Sequence, residues 1–171
     1  MQRLIMKYAA ALSTLAALTF GADLVAAQDR ELSIGLGYSE FSRSGAENGA
    51  LVSLDYRHTP FFEKGIFAAR FGAAVDVQET GDAFLGAGIA GKWDLGKSWF
   101  IDASILPGAF VENVDLNDLG STFEIRSQIA VGHRFANGTA LSLSLSHKSN
   151  ASTGDINPGV NSLQLRWHFP L

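Results

Sequence analysis

The chain has 171 residues, of which 47% are hydrophobic, and its formal net charge is −4. This length suggests a single domain, and the mild acidic excess argues against a nucleic-acid-binding protein. The sequence contains no cysteine, so disulfide bonds cannot stabilise the fold.

The N-terminal segment, residues 1–27, has the layout of a cleavable secretory signal peptide. Two basic residues precede an apolar stretch over residues 8–20, and small residues follow at Val25-Ala26-Ala27. An anchoring transmembrane helix needs about 20 continuous apolar residues, and Gly21 and Asp23 interrupt this stretch early. We therefore expect the segment to be removed on export.

The mature chain, residues 28–171, alternates apolar and polar residues with a period of two, which is typical of β-strands. In the first run, for example, Leu32, Ile34 and Leu36 alternate with serine and glycine. Such runs cover residues 32–39, 52–57, 70–77, 84–93, 99–110, 123–135, 141–149 and 161–169. No comparable run has a helical period, so we predict an all-β domain of eight strands.

The polar face of these strands favours one of two all-β architectures. A soluble sandwich turns its polar face to water, whereas a transmembrane barrel turns its apolar face to lipid. The face opposite the aliphatic residues carries regularly spaced polar groups: Arg57, Arg70, Asp76, Glu124, Arg126, Gln128, Gln164 and Arg166. In a narrow barrel these groups pair inside, and closure removes the exposed sheet edges. We predict an eight-stranded antiparallel transmembrane β-barrel.

Connection lengths also fit a barrel, because outer-membrane barrels have short periplasmic turns and longer external loops. Turns are predicted near residues 59–64, 94–98 and 136–138, and external loops at 42–49, 78–83, 113–121 and 150–160. Aromatic residues gather near the predicted periplasmic strand ends, as in an interfacial girdle: Trp93, Trp99, Phe100, Phe135, Trp167 and Phe169. The predicted location is the outer membrane of a Gram-negative bacterium, which the chain crosses several times.

Three polar residues are predicted to lie on the lipid-facing side of the last two strands. Leu141, Leu143 and Leu145 have the same parity as His147 and Ser149, whereas the serines between them and Lys148 point into the lumen. On the returning strand Asn161 extends the outward row of Leu163, Leu165, Trp167 and Phe169. His147, Ser149 and Asn161 should therefore converge outside the barrel, at the external end of the two strands.

This grouping has the residue types of a nucleophile and its base. Residues i and i+2 on a strand have α-carbons about 6.5 Å apart, so an imidazole can reach a hydroxyl. A serine becomes nucleophilic when a neighbouring base takes its proton, and a third group fixes the imidazole tautomer. The spacing alone also fits a strand end that needs interfacial and turn residues.

A resemblance to a known family favours the catalytic interpretation. Four motifs carry it: Phe123-Glu124-x-Arg126, Phe135-Ala136-Asn137-Gly138, His147-x-Ser149-Asn150-Ala151 and Asn157-x-Gly159. Together they make the last fifty residues resemble the PagL-type lipid A 3-O-deacylases of Gram-negative outer membranes. The resemblance implies an eight-stranded barrel whose serine hydrolase site lies on its lipid-facing exterior.

By that resemblance Ser149 is the nucleophile, His147 is the general base, and Asn150 stabilises the oxyanion through its side chain or neighbouring amides. The family has a glutamate fourteen residues beyond the histidine, where this chain has Asn161. Asparagine can orient an imidazole but cannot stabilise its cation by charge. Asn161 acts as a neutral orienting residue, or is helped by Asp155, or marks weak activity; we expect the first.

The resemblance thus implies a serine esterase that removes the 3-O-linked acyl chain of lipid A through an acyl-enzyme, without a metal or organic cofactor. The expected partner is lipid A in the outer leaflet, and a homodimer is compatible with the pattern. A structural or adhesion-type barrel without activity is the alternative. An acyltransferase is disfavoured, because luminal charges at Arg70, Asp76, Arg126 and Arg166 leave no acyl pocket inside.

Overall fold

The computed structural model describes residues 30–171, which form a closed barrel of eight antiparallel strands. The strands are β1 Glu31–Phe41, β2 Gly49–Lys64, β3 Phe67–Gln78, β4 Ala83–Gly96, β5 Trp99–Val111, β6 Phe123–Arg134, β7 Ala140–Ser149 and β8 Val160–Pro170. Each strand pairs with the next along the chain, and β8 pairs with β1. The predicted fold class is confirmed; the predicted signal peptide, residues 1–27, lies outside the described residues.

Between the strands the connections are unequal, which gives the barrel two distinct ends. Three of the four connections at one end, residues 42–48, 112–122 and 150–159, are longer than the turns at the other. We call this the external end, and a short 3-10 helix, Asp115–Asn117, lies in its longest loop. In the part of the chain that is described, no helix is long and apolar enough to cross a membrane.

The lumen is filled by buried ion pairs, because every second residue of each strand points inward. Asp55 is fully buried and contacts the guanidinium groups of Arg57, Arg126 and Arg166, with Arg126 Nη1 at 2.9 Å from Asp55 Oδ1. Asp76 receives Lys148 Nζ at 2.8 Å and Arg126 Nε at 3.3 Å. The charges around Asp55 and Asp76 therefore pair with one another across strands that are distant in sequence.

An apolar cluster occupies the external mouth of the lumen. Phe41, Phe84, Phe110 and Val160 come from the external ends of four strands, and Leu119 descends onto them from the loop between β5 and β6. All five side chains are buried, and burial of a large apolar side chain contributes about 1.5–3 kcal/mol. We call these five residues the luminal plug.

The outer surface is apolar and exposed, as a lipid-facing wall requires. Large hydrophobic side chains are at least one-third exposed around the whole barrel, including Leu36, Val52, Phe71, Leu85, Ile105, Ile129, Leu145 and Leu165. Along each strand they alternate with the buried luminal residues, as the sequence pattern predicts.

Two details of the sequence-based prediction were wrong. No turn occupies residues 59–64, because β2 continues to Lys64 through register shifts around Pro60, and the turn lies at Gly65-Ile66. Phe100 does not join an outer aromatic girdle. Its position on β5 points inward, where its ring packs edge-on against His168 at 5.6 Å.

Candidate active site

His147 and Asn161 are directly paired across β7 and β8, and both side chains are exposed on the outer face. His147 Nδ1 lies 2.9 Å from Asn161 Oδ1. An amide oxygen only accepts hydrogen bonds, so this contact places the imidazole proton on Nδ1. The lone pair of Nε2 is then free to act as a base.

Ser149 is the last residue of β7 and lies two positions beyond His147 on the same outer face. Its side chain is partly buried, and its register partner on β6 is Ile125. Within residues 30–171 no hydrogen bond joins Ser149 Oγ to His147. The spacing of about 6.5 Å between alternate α-carbons allows this bond to form by side-chain rotation when substrate binds.

Gly159 supports the imidazole ring from the loop that precedes β8. A β-carbon built at Gly159 would lie 2.8 Å from His147 Cε1, closer than real β-carbons approach a neighbour, and at a tight 3.3 Å from its Nε2. Gly159 also has a positive φ of 70°, which favours glycine. The ring of His147 is therefore held by the Gly159 backbone and by the Asn161 amide.

Asn150, directly after the serine, is fully buried and organises the loop between β7 and β8. Its Nδ2 group donates to Leu119 O at 3.0 Å and to Ile156 O at 2.7 Å, which uses both amide hydrogens. Its backbone N–H donates to Asn157 Oδ1 at 3.1 Å. The side chain thus joins this loop to the loop after β5, and its predicted oxyanion role stays a prediction.

Asp155 lies exposed in the same loop. In the range from Arg30 to Leu171 it forms no hydrogen bond or ion pair with Asn161 or His147. The predicted assistance of Asn161 by Asp155 therefore gains no support from the geometry. No three His, Asp or Glu side chains among the described residues are grouped so as to hold a metal ion.

An apolar groove of about 1070 Å³ begins at His147 and Asn161 and crosses the outer face of β6, β5 and β4. Small outward residues, Ser127, Ala103 and Gly91, form its floor. Its walls are the aliphatic side chains of Ile89, Ile105, Ile129 and Leu145. From β7 to β4 the groove spans three strand spacings, roughly 14 Å.

The far end of the groove is closed by two aromatic rings. Phe67 and Trp93 are register partners on β3 and β4, and their ring centroids are 4.8 Å apart. Both rings lie over Gly91, where a β-carbon would be 2.7 Å from the Phe67 ring. Sequence reasoning missed this groove, and the only available indication was the row of small residues among bulky outward ones.

The fold defines a class of protein: a membrane β-barrel with a charged interior, here with a histidine and a serine two positions apart on the outer face of β7. A family model for lipid A 3-O-deacylase (PagL) matches residues 55–170, which is most of the chain. The chain belongs to the PagL family of lipid A 3-O-deacylases, which are outer-membrane hydrolases, and the predicted membership is confirmed.

Solved structures support the same fold. The crystal structure of the outer membrane enzyme PagL aligns with a TM-score of 0.65 at 22% identity, covering 82% of this chain and 99% of that one. A de novo designed transmembrane β-barrel and Neisserial surface protein A each align with a TM-score of 0.57 at 8% identity, over 84% of this chain. The search of curated protein sequences finds no match.

Proposed function

We propose that this protein hydrolyses the ester of the 3-O-linked acyl chain of lipid A, with Ser149 as nucleophile and His147 as general base. The observation that carries the proposal is the 2.9 Å bond between His147 and Asn161 on the lipid-facing side, two positions from a serine on the same face. Polar residues at lipid-facing positions are costly, and they are retained where they have a task.

Acyl transfer then proceeds in two steps. Ser149 Oγ attacks the ester carbonyl while its proton passes to His147 Nε2, and the sugar 3-hydroxyl leaves with that proton. Water, deprotonated by the same nitrogen, attacks the acyl-serine; the Ser149 oxygen leaves and takes that proton back from His147, which releases a free 3-hydroxy fatty acid. Both steps need the imidazole to hold its Nδ1 proton, and the Asn161 carbonyl favours that tautomer.

The groove supports an acyl substrate, because it leads from His147 over small residues between aliphatic walls. Lipid tails are as apolar as the groove walls, so entry of the chain gains little from the hydrophobic effect. The groove instead selects acyl chains by shape and holds the ester carbonyl near Ser149. Positioning the two reacting groups in this way lowers the entropic part of the activation barrier.

Within the barrel formed by residues 30–171, the lumen offers no equivalent site. Ion pairs around Asp55 and Asp76 fill it, and the luminal plug occupies its external mouth. This arrangement disfavours an acyltransferase that would hold an acyl donor inside the barrel. A structural barrel in which His147 and Ser149 are incidental remains the second candidate, because the strand end also needs polar residues.

Mass spectrometry of lipid A from cells that produce the wild type, Ser149→Ala or Ser44→Ala separates the two candidates. Ser44 is an exposed serine in the external loop after β1. We expect loss of one 3-hydroxyacyl group in the wild type and in Ser44→Ala, and retention of that group in Ser149→Ala. Identical lipid A from all three strains at equal protein levels would favour the structural barrel.

A further inference from the structure

A glutamate lies next to the proposed active site on a third strand. Register pairing places His147 opposite Asn161 across β7 and β8, and Asn161 opposite Glu40 across β8 and β1. All three side chains are exposed on the outer face, so the barrel closure produces one row of histidine, amide and carboxylate. Glu40 and Asn161 are 121 positions apart, and only this closure brings them together.

The amide of Asn161 is oriented so that it can join the two outer members of the row. Its oxygen is used by His147, and Nδ2 therefore lies on the other side of the planar group. In the described part of the chain neither this Nδ2 group nor the Glu40 carboxylate has a hydrogen-bond or ion-pair partner. Directly opposite residues on antiparallel strands have β-carbons about 4.5–5.5 Å apart, within reach of a side-chain hydrogen bond.

The proposed reaction forms a positive charge on His147, which a nearby negative charge would stabilise. When His147 Nε2 takes the serine proton, the ring becomes a cation, and a neutral amide can orient that cation without stabilising it by charge. At the edge of the lipid phase the effective dielectric constant is lower than in water, so a carboxylate one residue away acts more strongly.

We propose that Glu40 is a positioning residue for the deacylation, an inference that rests on the proposed function. A side-chain rotation between these register partners lets the Glu40 carboxylate accept a hydrogen bond from Asn161 Nδ2. That bond holds the Asn161 oxygen on His147 Nδ1 and places negative charge near the imidazolium. The proton from Ser149 stays on His147 until the leaving alcohol takes it. Thus the charge that Asn161 lacks is supplied from β1.

Other charged groups near the row are less well placed. Asp155 lies in the loop between β7 and β8 and has no register position beside Asn161. Lys148 points into the lumen and pairs with Asp76, and Arg43 lies in the external loop after β1. Glu40 is the charged residue that the strand register places in the outward row.

The first test measures kcat and KM for Glu40→Gln, Glu40→Asp and the matched control Glu112→Gln, on purified lipopolysaccharide in detergent micelles. Glu112 is exposed in the loop after β5, away from the row. We expect Glu40→Gln to lower kcat about tenfold with KM changed less than about twofold, and Glu40→Asp to recover part of the loss. Equal kcat in Glu40→Gln and Glu112→Gln would overturn the proposal.

The second test repeats Glu40→Gln in an Asn161→Glu background. In that background the side chain at position 161 is itself a carboxylate, and Glu40 repels it. Removal of the Glu40 charge should therefore leave kcat unchanged or raise it. If Glu40→Gln costs the same factor in both backgrounds, Glu40 has a general structural role and the proposal fails.

A readout without turnover separates this inference from the proposed function. In ¹⁵N-histidine-labelled protein in micelles, we expect the His147 Nδ1–H resonance to be observed in the wild type and in Glu112→Gln, and to be broadened by solvent exchange in Glu40→Gln. An unchanged resonance in Glu40→Gln contradicts the role of Glu40. A third outcome is that the resonance is lost in Glu40→Gln while cells that produce the wild type keep unchanged lipid A. That result contradicts the esterase and still supports the hydrogen-bonded row of Glu40, Asn161 and His147.

Discussion

The backbone of Gly159 lies against the imidazole ring of His147, so close that a β-carbon there would be 2.8 Å from Cε1. Gly159 also immediately precedes β8, the strand that supplies Asn161. One short segment therefore contacts the imidazole ring through Gly159 and bonds it through Asn161, which restricts the orientation of the ring.

Replacement of Gly159 by alanine should displace the ring. The added methyl group meets Cε1, and the positive φ of 70° costs a further 1–2 kcal/mol or so. We expect kcat to fall about a hundredfold, measured on lipopolysaccharide micelles. Gly138→Ala is the matched control, because Gly138 has a φ of 85° in a turn at the opposite end. Similar losses in both variants would contradict the specific role of Gly159.

Asn161→Ala removes the acceptor of the 2.9 Å bond and frees the imidazole to adopt the other tautomer. We expect kcat to fall by about tenfold to a hundredfold with KM nearly unchanged, because the lost contact orients a catalytic group. Leu163→Ala, at the next outward position of β8, serves as control. A rise in KM with unchanged kcat would instead indicate a substrate-binding role.

Asn150→Ala should loosen the loop that follows the nucleophile. It leaves the carbonyls of Leu119 and Ile156 without their donor, and an unsatisfied buried polar group costs about 1–3 kcal/mol. We expect lower kcat and faster proteolysis within residues 150–159 of the folded barrel. Asn137→Ala, in the exposed turn before β7, should change neither. Full activity of Asn150→Ala would also exclude its side chain as an oxyanion donor.

Asp55→Asn should destabilise the barrel without altering the outer site. The substitution removes the negative charge from among three buried guanidinium groups, and loss of one partner from a buried ion pair costs about 3–5 kcal/mol. We expect a lower urea midpoint for unfolding from lipid vesicles, with near-normal kcat in the folded fraction. Asp115→Asn, in an exposed loop, is the control.

Ala103→Leu should fill the groove and change which esters are cleaved. Leucine at this floor position blocks the path between His147 and the Phe67–Trp93 ring pair. We expect kcat/KM to fall about tenfold or more for long 3-O-acyl chains and less for short ones, since overpacking costs about 1–3 kcal/mol. The control is Ala109→Leu, an outward position on β5 beyond the groove. Equal losses at every chain length would show that the groove does not hold the acyl chain.

Much of this arrangement could be predicted from local alternation. The parity of Leu141 to Leu145 places His147 and Ser149 outside, and the same rule places Asn161 beside them once the two strands form a hairpin. The hairpin is local in sequence, so its register needs no knowledge of the rest of the barrel.

What could not be predicted depends on contacts between distant segments. The Glu40–Asn161 pair requires the register in which β8 closes on β1, and the Asn150–Leu119 bond requires the loop after β5 to fold inward. The turn predicted at residues 59–64 failed because β2 continues through a register irregularity at Pro60, which alternation of residue types does not reveal.

The luminal plug has a consequence for the cell that makes this protein. Phe41, Phe84, Phe110, Leu119 and Val160 seal the mouth of a bore whose remaining length is crowded with paired charges. Hydrophilic antibiotics and nutrients therefore find no passage through it. Overproduction should leave the permeability barrier of the envelope intact, even while the lipids around the barrel are remodelled.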